Sequence, residues 1–548
     1  MNRRAWLRTL AAAGATHAAS VLPGVASPLL SHTGLAAVGT AGWLGEALPA
    51  LPVEPRRLRA YDLRVQAAYT AARAGAPAHL ANADEARLPA FLGMFSKGLP
   101  HDHFGFVEPE AYRMLARAAA SGQGTQFEAV PMGGSRRLVS PQAAFAFALD
   151  GLDAAMVDVA APPSIDSPVF AAEAVELYWM ALLRDLPFAR YQDDARAAGS
   201  ARELTKVSGR AVTPATLFTR QATPSSSIGF VQPPGGFVSQ FLLRPVPMGA
   251  QAMSARIGAQ TSGEQFLTRW DGWLASQNGA LPAVDVSYDG RRFISTGRDL
   301  ATWVRTDYPG QAGVQAALIL ESLRAPVSER HPYVQSRNQA GYVTFGLPFV
   351  VDLASRVAMH ALRAAWFQKW VLHRRLRPEE LGGHLEAAAS GAPVVVWPDQ
   401  RLMQSEALGQ VRQRTGTLLL PMAWPEGAPL HPSYPAAHAA TAGAMVTVLK
   451  AYYDHAWVLP DPVEPTADGR EVQSLQASLT VGDELDKLAW NVAVGRAFAG
   501  VQWRSDAEAG LRLGETVALA LLRELAEFLP ERTAAFEVRQ FDGQIVSV

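Results

Sequence analysis

The side chains with the clearest chemical potential lie in three stretches. In "WFQKWVLHRRLRPEELGG", Lys369, His373 and Arg377 stand at i, i+4 and i+8, which puts them on one helix face with Trp366 on the same side. Pro378 disfavours helical backbone at Arg377, so the helix is expected to end there. Lys369 and Arg377 then start about 12 Å apart along the axis, and two long side chains can still converge on one anion. In "HPSYPAAHAATAGAMVTVL", which begins at His431, Pro435 suits the first turn of a helix whose N-terminus holds Ala436, Ala437 and His438. Free N–H groups and the positive end of the helix dipole attract an anion, and His438 points toward it. In "GRAFAGVQWRSD", Arg496 falls on the stripe Leu485, Leu488, Val492, Ala499, which reads as a core face. A buried guanidinium needs an anion. Each stretch also has an ordinary structural reading: a solvated basic helix end, an Ala-rich core helix with a hydrogen-bonded histidine, and an arginine paired with Asp506, Glu484 or Asp486.

The elements that must position these groups are mostly helices. Helical patterns run through "SPVFAAEAVELYWMALLRDL", with Ser167 as N-cap and Pro168 first in the helix, through "VQAALILESLR", and through the long segment ending at Pro378. Further helices are expected over "AHAATAGAMVTVLKAYYD", "DELDKLAWNVAVGRAFAG" and "GETVALALLRELAEFL". Strand signals are few: a hairpin around Asp289-Gly290 and a short strand in "GQIVSV". The Pro/Gly clusters read as a surface connection, "GFVQPPGGFVSQF", and a long ordered loop entering a helix, "LPMAWPEGAPLHPSYP". The expected fold is mainly α, bundled helices with long loops. It divides into a leader over 1–45, an amino-terminal helical region over 46–330 and a core over 331–548 that carries the pocket.

Composition narrows the functions. With 548 residues and 49% hydrophobic side chains the chain buries a large core, and a net charge of -1 argues against a nucleic-acid partner. It contains no cysteine, which removes disulfides and thiolate chemistry. Arg3 and Arg4, followed by Trp6, Leu7 and an Ala-rich stretch, read as a twin-arginine-like leader to the periplasm or exterior; without export the chain is cytoplasmic. No stretch has the length of a membrane span. "HDH" at His101–His103 is a weak metal signal, better read as a polar loop.

Taken together and in order, the three stretches resemble the signature of the vanadium haloperoxidase and type 2 phosphatidic acid phosphatase superfamily. Within it they are most similar to the algal-type vanadium bromoperoxidases. "KWVLHRRLRPEELGG", "LLLPMAWPEGAPLHPSYPAAHAA" and "ELDKLAWNVAVGRAFAGVQWRSD" match its three motifs, and "YWMALLRDLPFARY" and "RRFISTGRDLA" look like its amino-terminal half. The resemblance implies a helical-bundle fold and a vanadate cofactor. Lys369, Arg377 and Arg496 would neutralise its oxygens together with the Ala437 N–H. His438 would be the acid–base histidine, with Trp366 and His431 on the halide and substrate side. It implies hydrogen peroxide, a halide and a small organic substrate as partners, Lys369 polarising the bound peroxide, and a homodimer or larger homo-oligomer.

Three residues depart from the family's pattern. Ala436 and Ala437 stand where the family has serine and glycine, so one hydroxyl contact to the oxyanion is lost and a methyl group is added beside it. Gln502 stands where the family has the axial histidine that bonds vanadium, and an amide is a poor metal ligand. Asp506 remains where the family keeps the carboxylate that orients that histidine. The same change removes the nucleophile that a phosphatase of this fold would use. Three readings stay open at this point: a haloperoxidase with weakened vanadate affinity, a repurposed acid–base enzyme using His438 and Lys369, and a non-catalytic protein whose pocket takes phosphate or sulfate.

Overall fold

A computed structural model describes residues 53–220, 236–393, 399–531 and 536–548. The twin-arginine-like leader lies outside these residues, as does most of the "GFVQPPGGFVSQF" connection. The chain divides into two units, Met1–Ala74 and Gly75–Val548. The described part of the first forms one helix, α1 (Val53–Arg73), none of whose side chains is buried.

In the second unit the helices that build the site are α2 (Pro168–Leu183), α3 (Gly297–Thr306), α4 (Gln311–Ser322), α5 (Leu347–Phe367), α6 (Pro378–Ala389), α7 (Ala437–Tyr452), α8 (Val481–Phe498) and α9 (Arg504–Phe528). Local signals start them. Ser167 accepts the Phe170 N–H ahead of Pro168, Thr296 and Asp299 form a capping box on α3, and Thr480 caps α8. α7 is the central rod, and all of its residues but His438 are buried. It packs against α5, α8 and, most extensively, α9. The α7–α9 approach is close because a Cβ on Gly510 would overlap the Ala436 carbonyl, and one on Gly514 the Ala440 carbonyl. α3 crosses α8 in the same way, with Gly297 under Phe498 and Gly495 against the Leu300 carbonyl. One large apolar core draws on helices from both sides of residue 330, and a smaller one gathers Phe95, Leu99, Trp370 and Leu430.

Strands are short antiparallel pairs, as expected of a mainly α chain, and "GQIVSV" supplies one of them, Ile545–Ser547. The hairpin expected at Asp289-Gly290 does not form. Tyr288–Arg292 is a single strand paired with Ile257–Gln260, and Asp289 and Gly290 form a bulge opposite Ala259. Gly290, at φ 82°, makes that bulge possible. The last helix starts at Arg504, ten residues before "GETV", because the Asp506 carboxylate accepts the Trp503 N–H and closes its first turn. The loop "LPMAWPEGAPLHPSYP" is ordered and almost wholly buried, and it leads into α7 as expected.

Candidate active site

The first motif does not form one helical face. α5 ends at Phe367, and Gln368–His373 continues as a π-helical turn in which the Arg374 N–H reaches the Lys369 carbonyl at 2.9 Å. Arg374 then takes a left-handed backbone, at φ 38°. His373 is thereby turned away from Lys369: it bonds the Gln368 side chain at 3.0 Å and meets the Tyr434 ring edge-on. Arg377 has the extended backbone that Pro378 imposes, but the helix has already ended four residues earlier. Its N–H is held by Glu380 at 3.2 Å, whose carboxyl burial pushes up to about 7.

Lys369 and Arg377 nevertheless converge. Lys369 Nζ donates to the carbonyls of Pro432 and Ser433, at 2.8 and 2.5 Å, and Arg377 donates to the same Pro432 carbonyl at 3.1 Å. Arg377 also reaches the His431 carbonyl, the Val501 carbonyl and the His431 ring, each within 2.9 Å. Arg496 comes in from α8. It donates to the Val304 carbonyl at 3.0 Å and stacks on Trp424 at 4.9 Å, and its buried Nε has no hydrogen-bond partner. None of the carboxylates considered in sequence pairs with Arg496: Asp506 binds Arg375, Glu484 binds Lys487 and Asp486 binds Lys450.

Among the described residues, none of these three buried cations has a carboxylate within salt-bridge distance. The electrostatics register the omission. Burial, then the positive charges of Arg377 and Arg496, hold Lys369 well below the ordinary lysine range. Burial and Arg496 bring Arg377 down to about 9, and burial brings Arg496 to about 10. Buried charges without a counter-ion are destabilising, so this cluster requires an anion.

His438 stands at the second position of α7, which starts at Ala437; Pro435, expected in the first turn, lies outside the helix, after a cis peptide bond with Tyr434. Ala436 is the N-cap and offers no side-chain cap, and its N–H is taken by the Asp506 carbonyl. The N–H groups of Ala437 and His438 are first-turn donors without helical acceptors. His438 Nε2 meets Asp307 Oδ1 at 3.0 Å, and its side chain is 26% exposed, which makes it the group of the cluster in contact with solvent. Burial and Arg496 lower its pKa, and Asp307 opposes them. His431 packs on Trp366, with ring centroids 4.8 Å apart, and burial beside the three cations keeps it neutral.

Gln502 is buried beneath the cations. In the orientation that satisfies both ends of its amide, the nitrogen donates to Asp506 Oδ2 at 2.6 Å and to the Ser433 carbonyl at 3.0 Å, and the oxygen accepts from Arg377 at 2.6 Å. Asp506 is fixed in turn by Arg375 at 2.8 Å and by the Trp503 N–H at 2.9 Å. Asp506 therefore orients a side chain at 502, here an amide.

Several site groups escaped the sequence reading. Asp307, at the C-terminal end of α3, follows a helix and precedes a turn, and no spacing ties it to His438. The Pro432 and Ser433 carbonyls are backbone groups and carry no sequence signal, and Arg375 is hidden among its basic neighbours. His101 of "HDH" is bound to Ser96 and Asn278, and no described group of His, Asp and Glu side chains could hold a metal ion.

The residues fit a tetrahedral oxyanion such as vanadate on the strength of the orphaned Arg496 Nε, the unneutralised cations and the helix N-terminus. At position 502, where the resemblance implies a nitrogen to bond its central atom, they offer an amide instead. The known proteins that this chain resembles are named for vanadium. Residues 350–530, from α5 to the end of α9, match the family model for the second helical-bundle domain of VCPO. A vanadium-dependent bromoperoxidase of Ascophyllum nodosum is 34% identical over 488 residues, 83% of this chain and 86% of that protein. One from Corallina officinalis is 30% identical over 91% of this chain and all of its own length. The solved structure of a second vanadate-dependent bromoperoxidase from Ascophyllum nodosum, a homohexamer, superposes with a TM-score of 0.84 at 29% identity, covering 97% of this chain and 95% of that one. The chain belongs to the vanadium-dependent haloperoxidase family.

Proposed function

We propose that this chain is a peroxide-dependent haloperoxidase that holds vanadate reversibly in the pocket between α5, α7 and α8. The observation that carries this reading is the convergence of Lys369, Arg377 and Arg496 without a carboxylate, next to the His438–Asp307 pair. Vanadate, when bound, supplies a Lewis-acidic centre that activates hydrogen peroxide for oxygen transfer to a halide. The chain's own groups do the rest. Arg496 and the third proton of Lys369 donate to the anion, as do the Ala437 and His438 N–H groups at the positive end of α7. His438, positioned by Asp307 at the solvent-facing rim, takes a proton from incoming peroxide and returns it to the product. Trp366 and the neutral His431 form an apolar, weakly polarising wall suited to a halide and a small organic substrate. Ala436 and Gln502 each remove one contact to the anion, so cofactor retention is weaker than the motif would otherwise provide.

A vanadate titration by calorimetry, paired at each point with bromide- and peroxide-dependent halogenation of a dye, tests the reading. Saturable binding with turnover supports it, and absence of turnover at millimolar vanadate overturns it. We also infer that the chain assembles with copies of itself, since its 29%-identical relative is a homohexamer and α1 exposes Leu58, Tyr61, Val65 and Tyr69 on one face; sedimentation analysis tests this. The Arg3–Arg4 leader is proposed to direct export, to be tested by cell fractionation. No described helix is long and apolar enough to cross a membrane.

A further inference from the structure

We propose that Gln502 is a specificity-determining residue that makes this pocket a receptor for tetrahedral oxyanions held by charge and hydrogen bonds alone, accepting inorganic phosphate as readily as vanadate. The inference rests on the oxyanion reading of the pocket and goes beyond it by naming what the pocket fails to distinguish.

The donor inventory carries the proposal. The Gln502 amide is consumed within the protein: both N–H groups go to Asp506 and Ser433, and the oxygen goes to Arg377. An amide oxygen pointed into an anion's site would repel the anion, and here it is turned onto a cation instead. Arg377 is consumed as well. Its five N–H groups face the His431 carbonyl, the Val501 carbonyl, Gln502, the His431 ring and the Pro432 carbonyl. Arg377 therefore acts on the anion as a fixed positive charge, tethered by Gln502, and donates no hydrogen bond to it.

What remains for the anion is the third proton of Lys369, the unpartnered Nε of Arg496 and the first-turn N–H groups of α7. These are all donors or charges, and they see only the oxygens of an oxyanion. Vanadate and phosphate present nearly the same oxygens. They differ in the readiness of vanadium to accept a fifth bond, which requires a lone pair from a neutral base at the central atom. Position 502 is where such a base would stand above Asp506, and its amide offers none. The pocket keeps its affinity for oxyanions and loses the device that selects among them.

The test uses the full-length protein in calorimetric titrations with orthovanadate and with inorganic phosphate separately, at one pH, for the wild type and for Gln502→His. The wild type is expected to bind the two anions within about tenfold of each other. Gln502→His is expected to tighten vanadate binding by about 100-fold or more while leaving phosphate within a few-fold. Wild-type protein that binds vanadate about 100-fold tighter than phosphate overturns the inference and leaves the oxyanion reading standing. Binding of neither anion overturns both. Should the histidine variant fail to fold, the wild-type affinity ratio decides by itself.

Discussion

His438 Nε2 and Asp307 Oδ1 meet at 3.0 Å although 131 residues separate them in the chain. α7 presents the imidazole from its positive end, and α3 presents the carboxylate from its negative end. Asp307 raises the His438 pKa against the lowering effect of burial and Arg496. To accept a proton from peroxide His438 must be neutral, so activity rises with pH through its pKa. Asp307→Asn removes the opposing charge and is expected to move that acid limb to lower pH while reducing kcat. His438→Ala is expected to lose about 10²–10⁴-fold in rate with little change in anion affinity. Steady-state pH profiles and calorimetry separate the two effects.

Arg496 combines a functional charge with a structural liability. Replacing it with methionine is expected to weaken oxyanion binding by about 10–100-fold, the range of a charge-assisted hydrogen bond. The same change removes a buried, unneutralised cation and should raise thermal stability in anion-free buffer. Thermal unfolding with and without phosphate checks both signs; a variant less stable than wild type without anion would contradict the account.

Lys369 links anion binding to protons. Its folded-state pKa lies well below the ordinary lysine value. Between the two values the unfolded chain binds the proton and the folded chain does not, so the Lys369 contribution to stability rises with pH across that window. A bound anion favours the charged form. Binding is therefore expected to take up a proton above the depressed pKa, with affinity falling by up to about tenfold per pH unit. Calorimetry in two buffers of different ionisation enthalpy measures the uptake, and Lys369→Met is expected to abolish it.

The N-terminus of α7 depends on the glycine contacts with α9. A methyl group at Gly514 meets the Ala440 carbonyl and can be accommodated only by moving the helices apart. Gly514→Ala is expected to cost about 1–3 kcal/mol in stability by chemical denaturation. It should weaken phosphate binding as well, because the first turn of α7 shifts with the rod. Ala436→Ser works in the other direction, supplying the missing N-cap for about 0.5–2 kcal/mol of added stability.

The residue pattern alone determined that the chain is helical and where α2, α7 and α8 run, and the resemblance of its three motifs implied that Lys369, Arg377, Arg496 and His438 belong to one pocket. These follow from local signals: Ser167 and Pro168 at a helix start, an apolar stripe interrupted by one arginine, and short motifs kept in order. Other features arose only on folding. The π-turn at Gln368–His373 took His373 off the Lys369 face, because the bond from the Arg374 N–H back to the Lys369 carbonyl spans five residues and breaks the four-residue register that the spacing assumes. The bulge at Asp289-Gly290 replaced a hairpin because the partner strand came from residues 257–260, and pairing between distant segments leaves no periodic trace. Asp307, the Pro432 and Ser433 carbonyls and the wiring of Gln502 to Arg377 and Asp506 were likewise settled in three dimensions. A sequence names the side chain at 502, but which of its atoms face a cation and which face a carboxylate depends on the groups that the packing of α5, α7 and α9 brings around it.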